Sequence, residues 1–581
     1  MAQQVGTAMA EGASSSGELG GKKLGAFLCW AVVFADIGTS VYYTPGILFK
    51  QFGVLAGFFV ILTLVAFALL TLKYAEVSVR FPEGGGVVTV AARALNPWAG
   101  AVGGMFILVD YFLTSAISSL SGLQYFQDIF PGIAPDVLLL TLAVLAFLGV
   151  LNWWGIKESA VFSAIIAAAA LVSDVVILAL IFIHVPLAEI GAIFTEMFGS
   201  ARSLTPITLI SGFAGAFLAF SGLESISQLS PVMREPRRKT VGIALGIVAI
   251  TVGVTSPLLT VFSTILLTQH QALLVHPVSH VDPNQFISQL GGAYGGRVLQ
   301  IATAITASAL LIFASNTAII GAYHVFMALS RENFFPKFIL QLDDKRAHGR
   351  RTPYISIILA TLIPMLVLVA AAGQINTLGE LYAFGLLGAF SLTCISLDVI
   401  RIREQHGAAH VGSIEATDGY RDPHAAPLSA RAQRAQARLA PLTKILWPHA
   451  RYYLGFLTTA LVVVAWSANL VSKPMATFFG GGLTVLGLAI AVGHYRYQAA
   501  RTGVAPFLMG ILSRTPNSML VVLPSLEVHN NDVIRAAIES AGARRLVFLY
   551  LAEKRPEAQR AFEITDPYGH DQQAQNLFMQ A

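Results

Sequence analysis

The sequence predicts an all-α polytopic membrane protein of about twelve transmembrane helices, followed by a small cytoplasmic α/β domain. Three observations carry this. The 581 residues are 55% hydrophobic and 12% charged, with a mean hydropathy of +0.68, more apolar surface than a soluble chain of this size could hide. Apolar runs near the ~20 residues needed to cross a bilayer core recur along the chain. Past residue 497 the pattern changes to short β-branched runs around an amphipathic segment.

The elements follow in order. Residues 1–20 (MAQQVGTAMAEGASSSGELG) are rich in Ser, Gly and Ala and lack the charged-then-apolar order of a secretory signal, so they read as a flexible cytoplasmic tail. The membrane domain covers 21–497, with apolar runs at roughly 24–49, 54–76, 97–126, 134–153, 159–184, 205–229, 239–267, 297–329, 353–372, 377–401, 452–470 and 473–494. Backbone groups in lipid must satisfy one another, so each run is expected as a helix. The polar, Arg/Ala/Gln-rich segment 403–450 reads as a cytoplasmic loop. Within 498–581, a strand is expected over 519–523, a helix over 530–541 stopped by Gly542, and a second strand over 546–551. That is a βαβ unit of a small parallel-sheet domain.

Charge sets the orientation. Lys22 and Lys23, Arg80 and Arg93, Lys157, Arg234 to Lys239, Lys337 to Arg351, and Arg421 to Lys444 fall in alternate loops, whereas the others hold little beyond Lys50, Arg202 and Arg297. The positive-inside rule places both termini in the cytoplasm, and the protein in the cell membrane. The net charge of +5 gives no sign of nucleic-acid binding, and Cys29 and Cys394 lie in separate apolar runs, suggesting neither a disulfide nor a metal site. No G-x-x-x-x-G-K-[ST] occurs, which argues against ATP-driven work. His270, His276 and His280 lack metal-ligand spacing and read as solvated loop residues, so neither an enzyme nor a cofactor is expected.

The chemistry concentrates in intramembrane acids: Asp36, Asp110 and Glu224, with Asp174 and Asp398 as lesser candidates. An acid at bilayer depth costs roughly 2.5–3.5 kcal/mol unless it faces a cavity or a partner. No Lys or Arg is expected deep in any span. For one acid alone, protonation or a satisfied hydrogen bond is an adequate account; for several together, a mobile cation, protons or both fit better. Thr114 follows Asp110 at i+4, and Ser221 precedes Glu224 by three, so each acid shares a helical face with a hydroxyl. Hydroxyl, carbonyl and carboxylate oxygens are hard ligands suited to an alkali cation. The stretches ADIGTS (35–40) and FSGLES (220–225) each join an acid to Gly and small hydroxyl residues, five spans apart. Paired irregular segments at matching positions point to a 5+5 inverted repeat with a binding site at the midplane.

These segments, with FPEGGG (81–86), SPVMREPRRKT (230–240) and SNTAIIGAYHVFMALSRENFFP (315–336), resemble the amino acid–polyamine–organocation superfamily over most of 24–497, which implies a LeuT-like fold and secondary active transport. Asp36 would repel the substrate carboxylate that amino-acid permeases receive in span one. The stretch ADIGTSVYYTPG is similar instead to the superfamily's potassium transporters, the Kup group and more closely the KimA-type proton-coupled importers. The resemblance implies potassium ligands at Asp36, Tyr43, Asp110, Tyr111, Thr114 and Ser221, a proton-linked acid at Glu224, and a gate or ligand at Tyr382. It also implies a homodimer through a universal-stress-protein-like C-terminal domain, with a nucleotide regulator there; no Gly-rich phosphate loop is evident in that region. A proton-coupled amino acid or amine permease of the same fold is the alternative, since an amine would also suit Asp36. A channel-like or sensory protein is a third reading, but no TVGYG-like filter supports it.

Overall fold

The structure, a computed structural model, describes residues 23–82, 84, 86–155, 160–341, 352–405, 452–502, 518–524, 530–541 and 545–551. The tail 1–20, most of the loop 403–450, the helix stop at Gly542 and any regulator site beyond residue 551 fall outside the described residues, as do Glu83 and Gly85 of FPEGGG. The chain divides into two units, Met1–His494 and Tyr495–Ala581.

The first unit is helical. Its elements are α1 (Ala26–Ile37), α2 (Ser40–Phe52), α3 (Ala56–Arg80), α4 (Gly86–Ala94), α5 (Pro97–Ile129), α6 (Val137–Trp153), α7 (Ala160–His184), α8 (Leu187–Ala201), α9 (Pro206–Ala216), α10 (Ser225–Gln228), α11 (Arg237–Leu266), α12 (Phe286–Arg331), α13 (Tyr354–Ala370), α14 (Ile375–Gln405), α15 (Tyr452–Ser472) and α16 (Pro474–Thr502), the last running on past the boundary between the units. Among the described residues ten helical segments are long and apolar enough to cross a membrane, against an expectation of about twelve. The difference has a structural reason. A 3-10 turn, Gly53–Leu55, joins α2 to α3, so Ala26–Arg80 runs as one stretch of 55 residues, and α13 is shorter at 17 residues. The helix expected from 297 begins at Phe286, because two helices meet at Gly296, where φ is 67°.

Burial orders the bundle. The apolar stretch of α5 is 94% buried and that of α14 is 83% buried, against 28% for α6 and α15, so α5 and α14 form the interior. Gly and Ser in AVGGMFILVDYFLTSAISSLSG let neighbouring backbones approach closely. At Gly385 of α14 a Cβ would stand 2.8 Å from the amide nitrogen of Asp110 and from the carbonyl oxygen of Phe106. The two helices therefore touch backbone to backbone beside Asp110.

One expectation is overturned. Lys73 of α3 is only 2% exposed. It donates to the Asp398 carboxylate at 2.8 Å, the Cys394 carbonyl at 3.0 Å and the Thr459 hydroxyl at 2.7 Å. Asp398 therefore holds a fixed partner, with Arg401 at 3.4 Å, and drops out as a lone intramembrane acid. Glu76, also buried, pairs with Arg80 at 2.8 Å and with Arg401. These contacts join α3, α14 and α15, and spacing within one helix carries no sign of such pairing.

In the second unit, β1 (Ser518–Pro524) and β2 (Arg545–Leu551) pair in parallel, with Ser518 opposite Arg545 and Pro524 opposite Leu551. A parallel pair needs a crossover, supplied by α17 (Asn530–Ala541). Val521, Leu523, Ile534 and Ala537 make its small core.

Candidate functional site

Two irregular segments meet at the centre of the first unit. Between α1 and α2 the helix tightens rather than opens: the amides of Thr39, Val41 and Tyr42 bond three residues back, to Asp36, Gly38 and Thr39. Between α9 and α10 the backbone unwinds. A 3-10 turn, Phe217–Phe220, gives way to extended Ser221 (φ −60°, ψ 139°) and to Gly222 at φ 95°, a conformation that favours glycine. A Cβ on Gly222 would lie 2.7 Å from the Ile37 nitrogen and 2.8 Å from the Asp36 carboxyl carbon. Ser40 joins the segments, its hydroxyl meeting the carbonyls of Ile37 and Ala219 at 2.7 Å each.

Around this junction stand the three acids. Asp36 is 9% exposed, Asp110 1% and Glu224 4%. Among the described residues, neither oxygen of Asp110 nor Oε2 of Glu224 has a hydrogen bond of good geometry. Asp110 faces Tyr382, Asp36 and Glu224, and the Asp36 carboxylate lies beside the Ser225 hydroxyl. Among the described residues no basic side chain forms an ion pair with any of the three. They do not close into a metal centre: the described residues contain no group of three His, Cys, Asp or Glu near enough to hold a metal ion. Any cation held here needs hydroxyl and carbonyl oxygens as well.

Those oxygens are present. Tyr382 of α14, fully buried, shares hydrogen bonds with Thr114 at 2.8 Å and with Ser221. Its hydroxyl thereby links α5, α14 and the unwound segment. Tyr43 of α2 turns its hydroxyl toward Thr39, Ser221, Asp36 and Asp110. Tyr111 is placed differently: one residue beyond Asp110, it accepts a hydrogen bond from Gln228 Nε2. Glu224, Gln228 and Tyr74 line a small cavity that reaches Gly86 at the start of α4.

The remaining candidates lie elsewhere. Asp174 accepts a hydrogen bond from Tyr42 at 3.2 Å, and Tyr125 donates to the Tyr42 carbonyl at 2.8 Å. The amide of His276 bonds the Ala293 carbonyl at 2.8 Å, and the His280 carbonyl accepts from Gln289 at 3.3 Å.

Beyond geometry, the sequence profile of the amino acid permease family matches residues 26–417, two thirds of the chain and every element of this site. The chain belongs to the amino acid permease family. That family belongs to the amino acid–polyamine–organocation superfamily. The permease is 23% identical over 336 residues to the potassium transporter KimA of Bacillus subtilis (strain 168), covering 57% of this chain and 52% of KimA, so it spans about half that relative's length. It is 26% identical over 380 residues to the low-affinity putrescine importer PlaP of Escherichia coli (strain K12), covering 62% of this chain and 77% of PlaP. Among solved structures, a Na+-coupled sialic acid symporter in its substrate-bound outward-open state overlaps 81% of this chain and 95% of its own at 14% identity, with a TM-score of 0.43.

The permease site also holds two residues that sequence reasoning missed. Gln228 stands four residues past Glu224, a spacing that could have marked it. Tyr74, one residue after Lys73, carries a buried hydroxyl without a partner; its place in an amphipathic-looking run, TLKYAEVSVR, gave no signal of its own.

Proposed function

We propose that this permease imports potassium ions together with protons across the cytoplasmic membrane by alternating access. The observation that carries the reading is Asp110. Its carboxylate is buried in the most enclosed helix, its oxygens are unpartnered, and it faces two further acids with no fixed cation among the described residues. Crowded carboxylates without a basic partner need a mobile positive charge.

In the proposed cycle potassium exchanges water for oxygens of Asp36, Asp110 and Thr114, with Tyr43, Ser221 and backbone carbonyls of the irregular segments completing the shell. Glu224 takes up a proton from outside and limits the negative charge of the pocket. Tyr382, bonded to Thr114 and Ser221, acts as gate or ligand. Tyr111 supports the site through Gln228. Rocking of one helical group against the other exposes the pocket inward, and an inside-negative potential favours the cation by about 2.3 kcal/mol per charge per 100 mV. The reading includes twelve crossings in a LeuT-like 5+5 repeat, cytoplasmic termini, and dimerisation through the C-terminal α/β domain with a nucleotide as its regulator.

The match to PlaP supports a second reading, import of an amine, since an ammonium group also suits paired acids. Proteoliposomes with an imposed inward proton gradient separate the two. Uptake of rubidium, a potassium tracer, that putrescine and amino acids do not compete supports the first; labelled putrescine uptake with no rubidium uptake overturns it.

A further inference from the structure

The small cavity beside Glu224 has a volume of about 10 Å³, the room that a single water requires. Val87, Val88 and Ile107 give it apolar walls, and Tyr74, Glu224 and Gln228 are its polar groups. Among the described residues, neither Oε2 of Glu224 nor the Tyr74 hydroxyl has a hydrogen bond of good geometry, although both side chains are buried. Gln228, whose Nε2 donates to the Tyr111 hydroxyl, is the third group. Polar atoms left dry in this way destabilise a fold. A buried water takes about three polar partners, the number at hand here.

Glu224 has several ionisable neighbours: Asp36 of α1, Tyr74 of α3, Asp110 and Tyr111 of α5, and Tyr382 of α14. Of these, Tyr74 lines the cavity and the others do not, and none of the proposed potassium ligands lines it. The cavity therefore leaves Glu224 on a side apart from the cation pocket. It reaches Gly86, between Arg80 and Arg93, at the end of the membrane domain that carries the basic loops. Tyr74 is held by α14: its ring meets Phe390 edge-on at 5.6 Å, and its hydroxyl lies beside Thr393.

We propose that one ordered water sits between Glu224 and Tyr74 and carries the proton of Glu224 inward, so that proton and potassium leave the permease by separate routes. On the reading of Glu224 as the proton-linked acid, on which this step rests, Glu224 gives its proton to the water. The water passes one of its own protons to solvent at the Gly86 end, which leaves the carboxylate charged and the water unchanged. Tyr74 is a positioning residue: its hydroxyl holds the water in line with Oε2.

Infrared spectra of the purified full-length chain in acid, compared with those of Glu224→Gln, isolate the carboxyl band of Glu224. Tyr74→Phe removes the hydroxyl, and Val88→Ile adds a methylene to the cavity wall without touching a polar group. Each is expected to move the Glu224 band to higher wavenumber and to remove an O–H band that responds to heavy-oxygen water. In proteoliposomes under an inward proton gradient, Tyr74→Phe is expected to lower the maximal rate of rubidium uptake about fivefold at constant KM. Bands unchanged in both variants place no water there; a shift in one variant alone means that the two groups share none; a raised KM at constant rate assigns Tyr74 to the cation. Each of these overturns the proposal. Absence of rubidium uptake by the wild type overturns the potassium reading instead, and the infrared bands alone then decide whether Glu224 and Tyr74 share the water.

Discussion

Gly222 and Asp36 are in contact: a side chain at Gly222 would begin 2.8 Å from the Asp36 carboxyl carbon. The unwound segment after α9 is thus seated directly on the acid that closes α1. The close fit depends on an absent Cβ and on a φ of 95°. Gly222→Ala is therefore expected to destabilise the protein by about 1–3 kcal/mol and to stop uptake. Melting temperature and rubidium uptake measure the two effects; a variant equal to wild type in both would remove the contact from the account.

Asp36→Asn and Asp110→Asn keep the shape and remove the charge. Loss of one charged interaction, about 1.5–3 kcal/mol, corresponds to a drop in potassium affinity of roughly 10- to 100-fold. In a strain lacking its own potassium uptake, neither variant should restore growth at low potassium. Expression is checked alongside, and full rescue by both would refute their roles as ligands.

Glu224→Gln addresses the proton. If Glu224 must be protonated on the outer side, wild-type uptake falls as the external pH rises through its titration. Glutamine stays neutral at every pH, so the variant's uptake should be slow or uncoupled and flat across the same range. A wild-type pH profile would take Glu224 out of the proton path.

Tyr382→Phe removes the hydroxyl shared by Thr114 and Ser221 and preserves the ring. The loss of a neutral hydrogen bond, about 1 kcal/mol, should raise the KM for rubidium about fivefold. Little change in the maximal rate would mark a ligand, and a large fall in rate at constant KM would mark a gate.

Lys73→Met leaves the buried Asp398 with only the longer contact to Arg401 and the Thr459 hydroxyl. Breaking such a pair costs about 3–5 kcal/mol, and the melting temperature should fall steeply. Adding Asp398→Asn should recover part of the loss, because the under-compensated charge is gone. Absence of recovery would show that Lys73 acts through Cys394 and Thr459 instead.

How much of this is legible in the sequence depends on the range of the interaction. Hydropathy alone locates the helical runs, because burial in lipid forces every apolar run of that length into one conformation. The β-branched runs flanking 530–541 likewise mark two strands and a helix. The irregular segments announce themselves in ADIGTS and FSGLES, yet the pattern treats them alike, whereas α1 merely tightens and the second segment unwinds. That difference is set by Gly222, whose φ no one-dimensional pattern encodes. The acids stand out as charges in apolar surroundings; that Asp398 meets Lys73 while Asp110 meets no base among the described residues is settled by which helices are neighbours. Gln228 joins Tyr111 across helices for the same reason.

The Ser40 hydroxyl, lodged between the carbonyls of Ile37 and Ala219, bears on motion. Sliding one segment past the other would take the Ser40 hydroxyl away from the Ala219 carbonyl, where little water can replace the lost bond. In the proposed cycle Ser40 would act as a rivet, the pair swinging as a single lever and the passage opening along its flanks rather than down its seam.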